Sequence, residues 1–302
     1  MTTNFVPSQP LSFSSEMRVV ITAHELLQRY QAGERDFSEV QLIGADLSNQ
    51  VLTGISLRRA GLDRVDLSGT NLSNANLREA SLIDAHLSRA VLTQANLISA
   101  NLTRANLAGA DLCETGLRST NLTQANLSQA RLCETVLNEA NLESATLWDA
   151  DLRGASLYRC RLMQADLTGA TLDQANLTGA LLNKAKLCKA KLLEVQLNGA
   201  KLENADFSHA DLTRARLNSC NLFQTRLSQA NLRSANLSWS SLRCADLSGA
   251  TLYRTKLSWA NLTDATLTDA VLISTDLNHT NFRNATLTGA ILPDDFPPAD
   301  PV

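Results

Sequence analysis

Apolar side chains recur along this chain with an unbroken period of five. Counting in fives from Phe37 gives Leu42, Leu47, Leu52 and Leu57, and Leu continues to Leu292 with Phe207 and Phe282 as the later exceptions. Two residues before each of these stands a small side chain, most often Ala (Ala75, Ala80, Ala85, Ala90), elsewhere Thr115, Cys160 or Val195. Asn or Asp commonly fills the place between, and Ser or Thr commonly follows the Leu, so the unit reads Ala-(Asn/Asp)-Leu-x-x. A period of five fits neither regular element. On an α-helix successive Leu would step about 140° around the axis, and on a flat strand they would alternate faces. All of them are buried together only if the chain turns a corner every five residues, with Leu and Ala inward and the other three positions outward. The pattern therefore predicts a solenoid.

These residues resemble the repeats of the pentapeptide-repeat family. The resemblance runs from Phe37 to Leu292 and implies an all-β solenoid, a right-handed quadrilateral parallel β-helix with four repeats per coil. On that reading the chain makes about 13 coils, and strands about 4.8 Å apart give a shaft ~60 Å long. Outward charges support the stacking, because they alternate in sign at the coil interval: Asp166, Lys186, Asp206, Arg226, Asp246, and separately Asp111, Arg131, Asp151. Opposite charges on adjacent rungs attract. Arg58 with Arg78, and Glu114 with Glu134, break the rule. Burying each Leu is worth roughly 1.5–3 kcal/mol, and the stack offsets its ordering entropy because every rung repeats that burial.

An open solenoid exposes its terminal layers, so caps are expected. Thr22-Ala23-His24-Glu25 is a capping-box pattern, followed by Leu26, Leu27 and Tyr30 at helical spacing and stopped at Gly33. This predicts a short N-terminal capping α-helix over about Ala23–Ala32. The lead-in ending in Ala32-Gly33-Glu34-Arg35-Asp36-Phe37 is similar to that of cyanobacterial members of the family. Pro293-Asp294-Asp295-Phe296-Pro297-Pro298 cannot continue the strands. The expected organisation is a disordered segment over 1–16, a capping region over 17–36, the β-helix over 37–292 and a Pro-rich tail over 293–302, with Phe296 a candidate to fold over the last layer.

A net charge of -3 gives no strong field of either sign, so charge alone indicates no dedicated nucleic-acid binder, and direct nucleic-acid binding is not expected. The N-terminus carries no secretory pattern and no stretch is apolar enough to span a membrane, which leads us to expect a cytoplasmic protein with no membrane partner. The six cysteines lack zinc-type spacing, so free thiols are expected, with no metal and no cofactor. His24, His86, His209 and His279 are scattered over outward positions, and an uninterrupted rod offers no cleft, so no catalytic residue is assigned and no enzyme is expected.

Three sets of residues are not required by the repeat. Trp239, Trp259 and His279 recur at the coil interval on one outward column, with Tyr253 nearby. Exposed aromatics mark binding sites; the alternative is a mutual stack that shields one edge of the coil. Lys184, Lys186, Lys189, Lys191 and Lys201 are five of the six lysines and form a partial basic belt. Such a belt meets phosphate or an acidic protein, or is a solvated face in which Lys186 completes a charge ladder between Asp166 and Asp206. Cys113 and Cys133, in the repeated Leu-Cys-Glu-Thr, stack on adjacent rungs within disulfide range. They form a metal patch, a redox-sensitive thiol pair, or a duplicated coil with solvated side chains, and the last is expected. Cys160 and Cys220 fall on the inward small position.

The leading functional expectation is a non-catalytic rigid scaffold for protein–protein interaction, as solenoids generally are, with an unknown protein partner and a monomeric or weakly dimeric state. The family resemblance also admits a DNA-mimic modulator of a topoisomerase such as gyrase. Those members are more acidic, and the near-balanced charge and the lysines argue against it here. A structural or self-assembling rod is the third expectation.

Overall fold

The computed structural model describes residues 19–294. From Asp36 to Ile291 the residue before each Leu is bridged in parallel to the residue 20 positions on, as in Asp46↔Asp66, Asn121↔Asn141 and Val271↔Ile291. Four five-residue sides therefore close each coil, and each side contributes a strand only one bridge long. Every Leu of the five-residue series from Leu42 to Leu272, together with Phe37 and Phe207, is buried, as are the residues two places before them from Val40 to Thr275, Ala45 and Gln50 excepted, whereas the outward Leu181 and Leu193 are not.

The repeat unit is explained by where its backbone N–H groups go, since each must find an acceptor. Three go to the neighbouring rungs: Leu47 N–H to Asp66 O at 2.8 Å, Asn49 N–H to Ser68 O at 2.8 Å, and Asp66 N–H back to Ala45 O at 2.9 Å. A fourth closes the corner, Thr70 N–H to Leu67 O at 3.1 Å. The fifth belongs to the residue after the Leu, and the Asn or Asp before the Leu takes it. Asp46 Oδ1 accepts from Ser48 N–H at 2.9 Å, and Asn101 Oδ1 accepts from both the N–H and the hydroxyl of Thr103, at 3.1 and 2.6 Å. Where Ser81 and Ser156 replace Asn or Asp, a side chain on the preceding rung substitutes: Asp63 accepts from Ile83 N–H at 3.1 Å and Asn138 from Tyr158 N–H at 3.2 Å. The preference for Asn or Asp, then Leu, then Ser or Thr is thus a hydrogen-bond requirement.

Inward hydroxyls and thiols are also satisfied. Thr70, Thr115, Thr225 and Thr255 each donate to a Leu carbonyl on the preceding coil at 2.7 Å. Cys160 and Cys220 use the same acceptor, their Sγ lying 2.7 Å from Leu137 O and 2.9 Å from Leu197 O.

The helix α1 spans Ala23–Gln31. Thr22 Oγ1 accepts from Glu25 N–H at 3.1 Å, while the Glu25 side chain turns to Arg29 at 3.4 Å, so only half of the expected capping box forms. The helix stops because Gly33 takes φ +101°, which lets Gly33 N–H reach Tyr30 O and Glu34 N–H reach Arg29 O. Leu26 is fully buried under α1, and Tyr30 Oη donates to Thr53 O at 2.9 Å, fixing the helix over the first coil. Val19 and Ile21 add one strand to that coil through Gln41. At the other end Leu277, Phe282, Leu287 and Leu292 are only partly buried. The expected disordered segment over 1–16, most of the tail over 293–302, and Phe296 lie outside the described residues.

Candidate interaction surface

Each corner places its second residue in the left-handed region. From Glu39 to Gly289 every fifth residue has a positive φ, and none of them is Val, Ile or Thr. A β-branched side chain is worst suited to that conformation, whereas Gly and Asn enter it readily. Trp239 and Trp259 nevertheless occupy it, at φ 64° and 62°, and His279 follows at φ 57°.

The three form a ladder. The Trp239 and Trp259 ring centroids lie 5.0 Å apart with 4° between planes, and Trp259 and His279 lie 4.0 Å apart at 25°. Both faces of Trp259 are therefore covered, while Trp239 keeps its outer face free above Ser219, the next residue of the column. The exposures of 63% for Trp239 and 49% for Trp259 follow that difference. Tyr253 stands on the preceding corner, under the Arg254 guanidinium at 5.1 Å, and is not a rung of the ladder.

At the opposite end of the rod the same column carries charges instead of rings: Arg59 Nε lies 2.7 Å from Glu79 and its NH1 lies 3.5 Å from Glu39. These glutamates also explain the first break in charge alternation, because Arg58 reaches Glu39 at 3.9 Å and Arg78 reaches Glu79 at 3.0 Å. Elsewhere the alternating columns pair as expected, with Arg131–Asp111 at 2.7 Å, Lys186–Asp166 at 3.6 Å and Arg226–Asp206 at 3.4 Å.

The lysines do not form one patch. Lys184 and Lys201 lie on the side that follows the Trp corner, Lys186 and Lys189 on the next side, and Lys191 on the side after that, as their bridges and corners place them. Lys186 is a member of the charge ladder. The sequence reading missed Arg216, Arg243, Lys256 and Arg283. These stand on the two sides that meet at the Trp corner, and with Lys184 and Lys201 they are exposed and have no carboxylate within 4.0 Å among the described residues. Their signal was hidden because they occupy different places within the repeat and share a face only once the coil is closed.

The structure corrects the expectation for the repeated Leu-Cys-Glu-Thr. Cys113 and Cys133 are not free, solvated thiols but a disulfide with Cα atoms 4.7 Å apart. Adjacent rungs hold stacked Cys at bonding distance without distorting the coil. Cys160, Cys188, Cys220 and Cys244 are free, and burial pushes the Cys160 and Cys220 thiols up to about 12. Among the described residues no group of three His, Cys, Asp or Glu is placed to hold a metal ion, and no helix is long and apolar enough to cross a membrane. A groove of about 400 Å³ between corner columns is lined by Asn49, Ser68, Ser88, Arg89 and Gln129 among others, and its titratable side chain is Arg89, with neither a nucleophile–base pair nor a carboxylate beside it.

Comparison with known proteins finds several pentapeptide-repeat relatives of this chain. HetL, a pentapeptide repeat protein involved in heterocyst differentiation regulation from the cyanobacterium Nostoc sp. strain PCC 7120, is 33% identical over 91% of this chain and 98% of that chain, with a TM-score of 0.45. Rfr23, a pentapeptide repeat protein from the cyanobacterium Cyanothece 51142, is 28% identical over 34% of this chain and 63% of that chain, with a TM-score of 0.21. QnrB1, a plasmid-mediated fluoroquinolone resistance protein, is 17% identical over 86% of this chain and 92% of that chain, with a TM-score of 0.20. No curated protein matches the sequence. The family model for pentapeptide repeats matches in 8 copies between residues 36 and 294, the same stretch that forms the coils, and the chain belongs to the pentapeptide-repeat family.

Proposed function

We propose that this protein is a non-catalytic, right-handed β-helical rod of about 13 coils, closed at one end by α1, that binds a protein partner through the Trp239–Trp259–His279 corner. The observation that carries the reading is the placement of two indoles in a left-handed corner that the fold fills elsewhere mostly with small or flexible side chains. Nothing in the coil's hydrogen bonding calls for a ring there, and aromatic side chains are the commonest anchors of interfaces. The involvement of the relative HetL in heterocyst differentiation regulation supports a regulatory use of such a surface.

The test is affinity capture from a bacterial lysate, preferably cyanobacterial, with the parent protein and the Trp239→Ala/Trp259→Ala variant, both first shown to be β-folded. A protein held by the parent and lost by the variant supports the reading. Identical captures would move the contact elsewhere on the rod, and reproducibly empty captures would discard the scaffold role.

One observation favours a second reading, end-to-end assembly. The described residues leave Leu277, Phe282, Leu287 and Leu292 partly exposed at the last coil, beside Ile291 at 52%. Sedimentation that grows with protein concentration would support this use of the end.

A further inference from the structure

We infer that the ladder's partner is an extended acidic protein segment carrying one ring side chain; this rests on the interaction reading above and specifies its chemistry. The two sides that meet at the Trp corner are unevenly charged toward the C-terminal end. Lys184, Lys201, Arg216, Arg243, Lys256 and Arg283 are exposed there and make no ion pair within 4.0 Å among the described residues. The carboxylates on the same stretch, Glu203, Asp264 and Asp276, are fewer than these cations, and each accepts from a neutral side chain. Glu203 accepts from Asn221 at 2.5 Å, Asp264 from Asn284 at 3.1 Å, and Asp276 from Ser258 at 2.5 Å. Lys256 also faces Asp276 on the next rung, which feels its charge. On the same two sides nearer the N-terminus, Arg58, Arg59, Arg78, Arg104 and Arg161 are paired with carboxylates, while, among the described residues, Arg64, Arg118 and Arg159 are not. Cations without an ion pair are thus concentrated beside the rings, though not confined to them.

The geometry sets the occupant. From the coil of Lys184 to that of Arg283 is about five rungs, or ~24 Å, the span of roughly seven extended residues. Carboxylates on such a segment meet the cations from either side of the corner. Its ring side chain, aromatic or Pro, seats on the free outer face of Trp239 over Ser219, beyond which Gly199 leaves open space. A nucleic acid fits less well: Trp259 is covered on both faces, so successive bases have no successive rings to stack on.

The test uses a fluorescein-labelled ten-residue peptide of Glu and Asp with one central Tyr, read by fluorescence anisotropy. Comparison probes are the same peptide with Lys at every acidic position and a single-stranded oligothymidylate. The acidic peptide should bind the parent. Trp239→Ala and, separately, Lys201→Glu/Arg243→Glu should each weaken it about tenfold or more. Lys186→Glu, on another side and paired with Asp166, should change it less than about twofold. Unchanged melting temperatures exclude misfolding as the cause. The inference is overturned if the Lys peptide binds as well, if the oligonucleotide binds more tightly, or if both variants bind like the parent. It is also overturned, with the scaffold reading intact, if lysate capture depends on Trp239 and Trp259 while the acidic peptide does not bind.

Discussion

Trp239 lies flat on Trp259, 5.0 Å between centroids, while both backbones are held at positive φ. Two bulky residues in that conformation cost about 2–4 kcal/mol, and the Trp239–Trp259 and Trp259–His279 stacks together return about 1–3 kcal/mol. The two nearly cancel, so stability alone does not account for the pair. Trp239→Gly/Trp259→Gly should therefore melt within about 4 °C of the parent while losing the partner captured through this corner. A fall of more than about 10 °C would instead mark the ladder as a structural shield.

The same corner conformation makes a prediction away from the ladder. Gln229 has φ 56°, and its position is one of those from Glu39 to Gly289 that exclude β-branched residues. Gln229→Val should cost about 1–2 kcal/mol, read as a lower melting temperature, whereas Gln229→Asn should be close to neutral. Equal melting temperatures would show that the exclusion has another cause.

The inward positions were legible because burial imposes them: Leu and the small residue before it are the side chains a narrow coil can hold. The left-handed corners were not read from the sequence, although the absence of Val, Ile and Thr at every fifth place from Glu39 was their signature. The disulfide was visible as two stacked cysteines, but the assumption of reduced thiols turned the expectation away from it. Arg216, Arg243, Lys256 and Arg283 escaped notice because charge was read along the chain, and their grouping exists only around the coil.

The thiols should divide into three classes. Cys113 and Cys133 are bonded, so they should resist alkylation until a dithiol reductant is added. Cys188 and Cys244 are half-exposed and should react at pH 8 in the folded protein. Cys160 and Cys220 are buried with pKa values of about 12, and should react only on unfolding, since the thiolate is the nucleophile. Alkylation followed by mass spectrometry assigns each site. Rapid labelling of Cys160 would mean that the coil opens locally there.

Acid should unfold the rod through its hydrogen-bonded carboxylates. The Ser38 hydroxyl and N–H hold Asp36 below the usual carboxylate range, the Ser48 N–H and hydroxyl do so for Asp46, and the Ser258 hydroxyl does so for Asp276. A folded pKa below the unfolded value of about 3.9 gives stability that is fully present above that pH and is lost as pH falls through the folded value. The melting temperature should thus be level from pH 7 to about 4 and fall below it. Asn keeps the Oδ1 acceptor without titrating, so Asp36→Asn/Asp46→Asn/Asp276→Asn should fall less steeply. An unchanged slope would assign acid unfolding to other carboxylates.

Leu147 tests how far a defect travels. It is fully buried, its N–H donates to Asp166 O at 2.6 Å, and the adjacent Thr146 bridges Asn126 below and Asp166 above. Leu147→Ala removes a core side chain and should cost about 2–5 kcal/mol. Because each coil touches only its neighbours, the cost is carried locally. Amide exchange should accelerate around residues 126–128, 146–148 and 166–168, while the coils under α1 and those bearing Trp239 and Trp259 keep parental protection. Acceleration over the whole chain would show instead that the rod melts as one unit, in which case a ligand bound at the Trp corner would also protect the coil beneath α1.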